Sequence, residues 1–467
     1  LLSKAWAFQR AMVRYVLSAL CLFSSVTTAA QDAAEPTRYD RALAAGYKAL
    51  MLCGAIGNSD PAGSRRSVAS VEQYELTGIQ SPLDSIVPML TARVESGQDG
   101  FLDYVAVEWA DDMPPRIAAF RNPGGCSILP IGSETPTAEA STMKRIDDFG
   151  RSGGDMREAL RPPHPAASSI AEAALGDSYG DGTRTTAVLI QHNAREIAHS
   201  YAPGFDGDLP QRTWSVAKSI AATLVGAAVH NDAVDVSDSA DLGLAKDDPR
   251  RAITIDHLLR MTSGRISDTA GNRTDPVYWG GAAISERAPH WPLLYAPGST
   301  YRYANNDTLM AIRAIEPYLA ENSPAQFFAT IGMRGTVAET DWQGGYVLSS
   351  QVWSTARDFA RLGQLYLDDG VTRDGVRVLP EDWIEYVSAP TGPQPEGRAF
   401  GYGAGFWLMN DSEGVPSDTF AGFGNRGQYL VIVPSLDLVI VRRGEDPVGS
   451  RFDIAGFTRD VIAALQE

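Results

Sequence analysis

A serine followed three positions later by a lysine, Ser215 and Lys218, has the residue types and the spacing that suit nucleophilic catalysis. A serine hydroxyl becomes a useful nucleophile only when a neighbouring base accepts its proton. Positions i and i+3 share one face of a helix, so the lysine amine can reach the hydroxyl if this segment is helical. Burial lowers the pKa of a lysine and so provides a neutral amine near neutral pH. The pair therefore predicts acyl transfer with Ser215 as the nucleophile.

A second Ser-x-x-Lys stretch, from Ser141 to Lys144, fits the same pattern, and the surrounding sequence separates the two. Ser141 lies in a polar segment and is followed by charged residues, whereas Ser215 precedes an apolar run at helical spacing from Ile220 to Ala228. A buried helix holds catalytic geometry better than a polar linker does. The motif alone leaves one alternative open for Ser215, a helix-capping serine beside a solvated lysine.

A tyrosine and an asparagine, Tyr303 and Asn305, follow a Pro-Gly turn downstream of this predicted helix. In this order the Tyr-x-Asn pattern resembles the second motif of class C β-lactamases and of related esterases and peptidases, within the serine β-lactamase-like, penicillin-binding-protein-like superfamily. The resemblance implies that Tyr303 shares the base role with Lys218 and that Asn305 orients the lysine and the substrate. Between about residue 180 and the end, three further stretches resemble the same superfamily in order and spacing: 257–264, 354–362 and 424–429.

The third of these stretches departs from the usual pattern. Class C enzymes and penicillin-binding proteins have Lys-Thr-Gly there and many esterases have His-x-Gly, whereas this chain has Gly-Asn-Arg-Gly-Gln. That form resembles the subgroup containing 6-aminohexanoate-dimer hydrolases. The resemblance implies that the backbone N–H groups of Asn425 and Ser215 form an oxyanion hole and that Gly427 belongs to the same substrate-orienting set. Arg426 offers a cation in place of the missing lysine, but the sequence does not give the direction of its side chain.

Together these motifs predict a serine hydrolase that cleaves an ester or amide bond through an acyl-enzyme on Ser215, with Lys218 and Tyr303 as the general base pair. One alternative is a penicillin-binding or sensor-type protein on the same scaffold with little turnover, and another is a β-lactamase or D-Ala-D-Ala peptidase. A Ser-His-Asp mechanism is a further alternative, because the sequence leaves open whether one of the six histidines lies near a serine. The expected partner is a small-molecule ester or amide, and no cofactor is expected.

The elements that position these residues follow from hydrophobic periodicity. Four strands are predicted in two pairs: 186–191 with 196–201, and 428–433 with 436–442. The chain between the two pairs is largely helical, with helices predicted over 215–229 and 355–367. Strands that flank a helical middle predict an α/β (α+β) fold, in which an antiparallel sheet is flanked by helices and carries an all-helical insertion. The resemblance implies the β-lactamase/transpeptidase-like version of this architecture.

The chain divides into three predicted segments: 1–30, 31–165 and 166–467. Positive residues, a short apolar run from Tyr15 to Val26 and small residues before position 31 predict a signal peptide over the first segment. That run is too short to span a bilayer, so we expect an exported protein, periplasmic or secreted, without a stable membrane span. The second segment is predicted to be an N-terminal extension domain with a linker, and the third the hydrolase domain.

Charge and cysteine content restrict the partners further. The formal net charge of −17 at pH 7 argues against a nucleic-acid partner. Beyond the predicted signal peptide the chain has Cys53 and Cys126, and an even pair in an exported protein is a candidate disulfide, with two buried free thiols as the alternative. The resemblance to extensions of some exported bacterial members also implies this bond. No cluster of cysteine and histidine has zinc spacing, so no metal is expected.

Overall fold

The computed structural model describes residues 35–60, 65–98, 100–121, 124–134, 163–242, 245–266 and 274–466. The predicted signal peptide and the polar segment that contains Ser141 lie outside the described residues.

The described strands form three antiparallel sheets, whose members pair in the orders β1-β2-β3-β4, β10-β11-β12-β13-β14-β5-β6 and β7-β9-β8. The strands are β1 (Ala92–Ser96), β2 (Leu102–Val107), β3 (Arg116–Arg121), β4 (Gly125–Ile128), β5 (Thr185–His192), β6 (Arg195–Tyr201), β7 (Gln211–Arg212), β8 (Val337–Ala338), β9 (Val352–Ser354), β10 (Gly401–Tyr402), β11 (Trp407–Leu408), β12 (Phe420–Gly424), β13 (Gln428–Val433) and β14 (Leu438–Gly444). The largest sheet therefore combines two strands from the start of the predicted hydrolase domain with five from its end.

Helices surround these sheets, and most of them lie between β6 and β10 in the chain. The described α-helices are α1 (Arg38–Ser59), α2 (Val68–Gln73), α3 (Leu83–Ile86), α4 (Pro165–Ala173), α5 (Ala217–His230), α6 (Ile255–Leu259), α7 (Asp275–Tyr278), α8 (Ile284–Arg287), α9 (Asn305–Ala314), α10 (Glu316–Glu321), α11 (Pro324–Thr330), α12 (Ala356–Leu367), α13 (Trp383–Ser388) and α14 (Ile454–Ala464).

Strand β5 shows why the seven-stranded sheet needs helices on both faces. Successive side chains of a strand point to opposite faces, and all of its central residues are apolar. Ala187 and Leu189 join a hydrophobic core that includes residues of α5 and α12. Val188 and Ile190 join a second core with residues of α4 and α14. This layered arrangement confirms the predicted α/β class with an antiparallel sheet flanked by helices.

The local predictions agree with these elements, with small shifts at the ends. The hairpin is formed by β5 and β6, and its two turn residues, Asn193 and Ala194, have positive φ values of 52° and 57°, as two-residue hairpin turns require. The helix predicted from Ser215 begins at Ala217, because a 3-10 turn precedes it. The last predicted strand begins at Leu438, because the residues after Pro434 form another 3-10 turn.

The segment predicted as an N-terminal extension contains the long helix α1, which packs against the four-stranded sheet. A capping box between Thr37 and Asp40 begins α1, and almost all of the helix from Ala42 onward is buried. A disulfide with an S–S distance of 2.03 Å joins Cys53 in α1 to Cys126 in β4. The two cysteines predicted as a candidate pair are thus bonded within the extension.

The extension shares a hydrophobic core with the region after residue 165, and glycines in α1 permit the close approach. A Cβ on Gly46 would lie 2.0 Å from the carbonyl oxygen of Trp279, and one on Gly54 would lie 2.4 Å from the ring of Trp353. The buried guanidinium of Arg116 in β3 donates to the same Trp279 carbonyl at 3.2 Å. The predicted boundaries at residues 30 and 165 stay predictions.

Within the described residues, no helix combines the length and the apolar character needed to cross a bilayer. The same part of the chain holds no group of three or more histidine, cysteine, aspartate or glutamate side chains arranged to bind a metal ion.

Candidate active site

Ser215 lies in a 3-10 turn, Trp214–Val216, that leads directly into helix α5. Trp214 has a φ of +48°, a conformation that bulky L-residues rarely adopt. The guanidinium of Arg212 lies 4.2 Å from the centre of the Trp214 ring, and both side chains are buried. Packing therefore holds a strained backbone next to the partly exposed serine, and strain of this kind is concentrated at functional sites.

Lys218 lies one helical turn after Ser215 and is only 2% exposed. Its Nζ atom is 3.3 Å from Ser215 Oγ, 2.6 Å from Asn305 Oδ1 and 2.9 Å from the carbonyl oxygen of Ser349. All three partners are neutral, and no carboxylate among the described residues forms an ion pair with this amine. Burial without a counter-charge disfavours the ammonium form and lowers the pKa of Lys218 from 10.5 to about 7.

The ring of Tyr303 faces the amine of Lys218. Its ring centre lies 4.9 Å from Lys218 Nζ, and the ring stacks on Trp407 with centroids 5.6 Å apart. Burial raises the pKa of Tyr303 well above 10, and a hydrogen bond with Ser215 offsets part of that increase. At neutral pH Tyr303 is therefore a neutral phenol within hydrogen-bonding reach of Ser215, and Lys218 is the stronger candidate for the base.

Asn305, the first residue of α9, connects Lys218 to a second layer of polar side chains. Its Oδ1 accepts from Lys218, and its Nδ2 donates to Thr274 Oγ1 at 3.1 Å. Ser349, whose carbonyl accepts from Lys218, has its hydroxyl 2.6 Å from the hydroxyl of Tyr278. The sequence alone did not reveal Thr274, Tyr278 and Ser349, because they come from two separate segments and none of them belongs to a motif.

Strand β12 brings the third motif beside the segment that carries Ser215. A Cβ on Gly424 would lie 2.4 Å from the carbonyl oxygen of Thr213, and one on Gly422 would lie 3.0 Å from Ser219 Oγ. At Gly424, which faces a backbone oxygen, only glycine permits this approach. Asn425, the next residue, is exposed in the turn between β12 and β13, so the predicted oxyanion donor lies on the strand end nearest the nucleophile's segment.

Gly427 occupies the same turn with a φ of +77°. Its carbonyl accepts from Arg442 Nη1 at 2.9 Å, and a Cβ at this position would lie 1.7 Å from the same nitrogen. The positive φ and the close approach explain why a glycine is required here. A part for Gly427 in orienting substrate stays a prediction.

The structure gives the direction of the Arg426 side chain that the sequence left open. The guanidinium is buried and donates to Glu445 Oε2 at 2.6 Å. It also donates to the carbonyls of Tyr74 and Thr77 at 2.8 Å, and to that of Gly78 at 3.2 Å. These acceptors belong to the N-terminal extension. Arg426 therefore ties the third-motif turn to the extension and does not replace the missing lysine as a cation for substrate.

Gly-x-Ser-x-Gly stretches, which mark the nucleophile of many Ser-His-Asp hydrolases, also occur in the chain at 150–154 and 176–180. The first lies outside the described residues. In the second, Ser178 is exposed in a 3-10 helix that follows α4, whereas a nucleophile elbow connects a strand to a helix. His257 caps its own helix by accepting from the Thr254 N–H at 3.1 Å. The described geometry therefore favours the Ser215–Lys218 pair.

Three segments meet beside an antiparallel sheet covered by helices. They are a Ser-x-x-Lys segment at the start of a buried helix, a Tyr-x-Asn loop and a glycine-rich strand end. Residues 171–442, well over half of the chain, match the Beta-lactamase family, and the protein belongs to that family. This membership confirms the superfamily predicted from the motifs.

Among known proteins, a 6-aminohexanoate-dimer hydrolase from Paenarthrobacter ureafaciens is 28% identical over 312 residues, which cover 57% of this chain and 74% of that protein. A solved structure from Bacillus anthracis, assigned as a 6-aminohexanoate-dimer hydrolase, is 23% identical, has a TM-score of 0.51, and covers 61% of this chain and 79% of its own. A solved structure assigned as a β-lactamase from Bacteroides dorei is 18% identical with the same TM-score, over 65% and 98% of the two chains. The two structures support the fold, and the family together with the first relative supports a hydrolase.

Proposed function

We propose that the protein is a serine hydrolase that cleaves an ester or amide bond through an acyl-enzyme on Ser215. The observation that carries this proposal is the buried amine of Lys218, which lies 3.3 Å from Ser215 Oγ and contacts only neutral acceptors. A lysine in that environment loses its proton near pH 7 and can accept the hydroxyl proton of the serine.

In the proposed reaction, Ser215 Oγ attacks the substrate carbonyl while its proton moves to Lys218. Tyr303, neutral and hydrogen-bonded to Ser215, gives its proton to the leaving oxygen or nitrogen as the bond to the carbonyl carbon breaks. It takes a proton from Lys218 in turn, so both groups return to their starting state. The backbone N–H groups of Ser215 and Asn425 bind the oxyanion, an effect worth about 3 kcal/mol per donor. Water then attacks the ester carbonyl of the acyl-enzyme and Lys218 accepts one of its protons. This proton passes to Ser215 Oγ as the bond to the acid product breaks.

The third motif favours a linear ester or amide over a β-lactam or a D-Ala-D-Ala peptide. The chain has no lysine at the start of this motif, and the neighbouring Arg426 is buried against Glu445 and the extension. The name of the relative from Paenarthrobacter ureafaciens points to an amide oligomer as a substrate of that protein. We therefore place amides of linear amino acids first among the substrates to be tested here.

We also propose that the protein works outside the cytoplasm, in the periplasm or as a secreted protein. The bond between Cys53 and Cys126 supports this proposal, because structural disulfides form and persist in oxidising compartments. The test is whether the cysteines of protein isolated from an exporting host are protected from alkylation before reduction. Full alkylation without a reductant would contradict the proposal.

The activity is tested by labelling the protein with a fluorophosphonate probe, with hydrolysis of p-nitrophenyl acetate and butyrate followed in parallel. Labelling and turnover should both disappear in Ser215→Ala. Ser141→Ala is the matched control, because Ser141 has the same spacing to a lysine, and it should keep both. Labelling of Ser215 without turnover would favour a penicillin-binding or sensor-type protein, and full activity of Ser215→Ala would overturn the assignment.

A further inference from the structure

An open cavity of 680 Å³ is lined in part by Trp407, the residue that stacks on Tyr303. Its walls come from the loop at 397–400, from the facing strands β11 to β13 and from residues 451–454 before helix α14. A cavity of this volume is within the range that binds small molecules. The proposed reaction, as described above, uses none of these residues.

A stack of aromatic rings connects this cavity to the candidate active site. Trp407 stacks on Tyr303 with centroids 5.6 Å apart and an interplanar angle of 27°. Trp407 also stacks on Phe423, at 5.8 Å and 16°, and Phe423 lines the cavity together with Trp407. Trp407 therefore belongs both to the wall of the cavity and to the surroundings of Tyr303, so the cavity adjoins the candidate active site.

The rim of the cavity carries unbalanced positive charge. Arg398 and Arg451 are exposed and line the cavity, and neither guanidinium forms a hydrogen bond or ion pair with another residue of the described chain. The one carboxylate in the lining, Asp453, accepts from the Gly456 N–H at 3.0 Å and caps helix α14. The cavity thus offers two guanidinium groups, which suit bidentate binding of a carboxylate.

The interior between these charges is aromatic. Phe400, Phe423 and Phe452 line it, and the Phe400 and Phe423 rings lie edge to face at 5.1 Å. Tyr429 is also in the lining, and burial raises the pKa of its hydroxyl. Apolar walls with cations at the mouth fit a methylene chain that ends in an anion.

We propose that this cavity is a substrate subsite for an apolar chain with a terminal carboxylate, bound by Arg398 and Arg451 while the scissile carbonyl lies at Ser215. This inference rests on the proposed hydrolase function. It places the specificity of the enzyme at a site remote from the bond that is cleaved, and it restores a carboxylate partner that the third motif lacks.

Two matched pairs of esters test the proposal. In the first pair the carboxylate is on the acyl chain: p-nitrophenyl hydrogen adipate against p-nitrophenyl methyl adipate. In the second it is on the leaving group: 4-carboxyphenyl butyrate against its methyl ester. We expect the charged member of at least one pair to have a kcat/KM about tenfold higher than its neutral partner, mainly through a lower KM.

The double variant Arg398→Ala/Arg451→Ala should lose that preference and keep the turnover of the neutral esters. The matched control is Arg195→Ala, an exposed arginine on strand β6 at the far edge of the sheet, which should keep the preference. No preference in either pair, or a preference that survives the double variant, would overturn the subsite. Ester turnover that survives Ser215→Ala would instead overturn the proposed function, so the two failures are distinguishable.

Discussion

Two buried cations lie close to the candidate active site, and their surroundings lead to opposite chemistry. Lys218 is 2% exposed and Arg426 is 6% exposed. Lys218 contacts a hydroxyl, an amide oxygen and a carbonyl, and desolvation lowers its pKa to about 7. Desolvation also acts on Arg426, but the charge and hydrogen bond of Glu445, together with Tyr47 and Glu75, outweigh it and raise the pKa of the guanidinium.

The comparison shows that burial alone does not decide what a cation does. A buried amine without an anion is a base that is ready to accept a proton. A buried guanidinium with a carboxylate and several carbonyls is a fixed connection between segments. Arg426 is a cation of the second kind and holds the third-motif turn. In the proposed mechanism this turn acts beside Lys218, the cation of the first kind.

The largest expected effect is on the reaction, through Lys218→Met. Removal of the base should lower kcat/KM by about a thousandfold, while the melting temperature stays the same or rises, because an uncompensated buried amine is replaced by an apolar side chain of similar length. Steady-state kinetics measure kcat/KM, and thermal unfolding measures the melting temperature. Retention of a tenth of the activity would show that Lys218 is not the base.

The next effect is on stability, through Arg426→Met. This change leaves Glu445 buried without its partner, and we expect the free energy of unfolding to fall by about 3 to 5 kcal/mol. Urea denaturation measures it, and the double variant Arg426→Met/Glu445→Gln should recover part of the loss because no charge is then left unpaired.

The same pair of Arg426 variants tests the contact with the extension. If the guanidinium fixes the Asn425 turn through the Tyr74 and Thr77 carbonyls, the double variant should still have a lower kcat than the wild type with a similar KM. Full recovery of kcat together with stability would mean that the turn keeps its geometry without the extension.

A smaller effect is expected from the disulfide. Replacement of both Cys53 and Cys126 by serine should lower the free energy of unfolding by about 2 to 4 kcal/mol, since a bond across 73 positions restricts the unfolded chain. The kcat of the folded variant should not change, because the disulfide contacts neither Lys218 nor Arg426. A matched sample of wild type measured with a reducing agent should reproduce the shift; an equal loss of kcat would contradict this separation.

The last effect is a pH dependence that is expected from Lys218 and not from Arg426. Activity should rise with an apparent pKa of about 7, because the amine must be unprotonated. Between pH 7 and 10.5 the unfolded lysine binds a proton and the folded one does not, so stability should increase with pH across that window. Lys218→Met should remove this part of the slope and Arg426→Met should not; an unchanged slope in the first variant would contradict the lowered pKa.

The sequence predicted those parts of the molecule that depend on neighbouring residues. Hydrophobic periodicity identified the β5–β6 hairpin and helix α5, and the motif spacing brought Ser215 and Lys218 onto one turn. Thr274 and Ser349 were missed, because they contact Asn305 and Lys218, respectively, from distant segments that have no pattern of their own. The direction of Arg426 was equally inaccessible, since it depends on carbonyls that lie about 350 positions away.

The order of strands in the large sheet also restricts how the chain can fold. Strand β14 pairs with β5, and Leu438 lies opposite His192, 246 positions earlier (438 minus 192). Closing a loop of that length has an entropic cost before any contact compensates for it, and folding rates fall as such non-local contacts dominate. Until β14 has been synthesised, one edge of β5 has no strand to pair with. We therefore expect folding to finish late, after nearly the whole chain is available, and a chain that ends before residue 438 to expose an aggregation-prone edge.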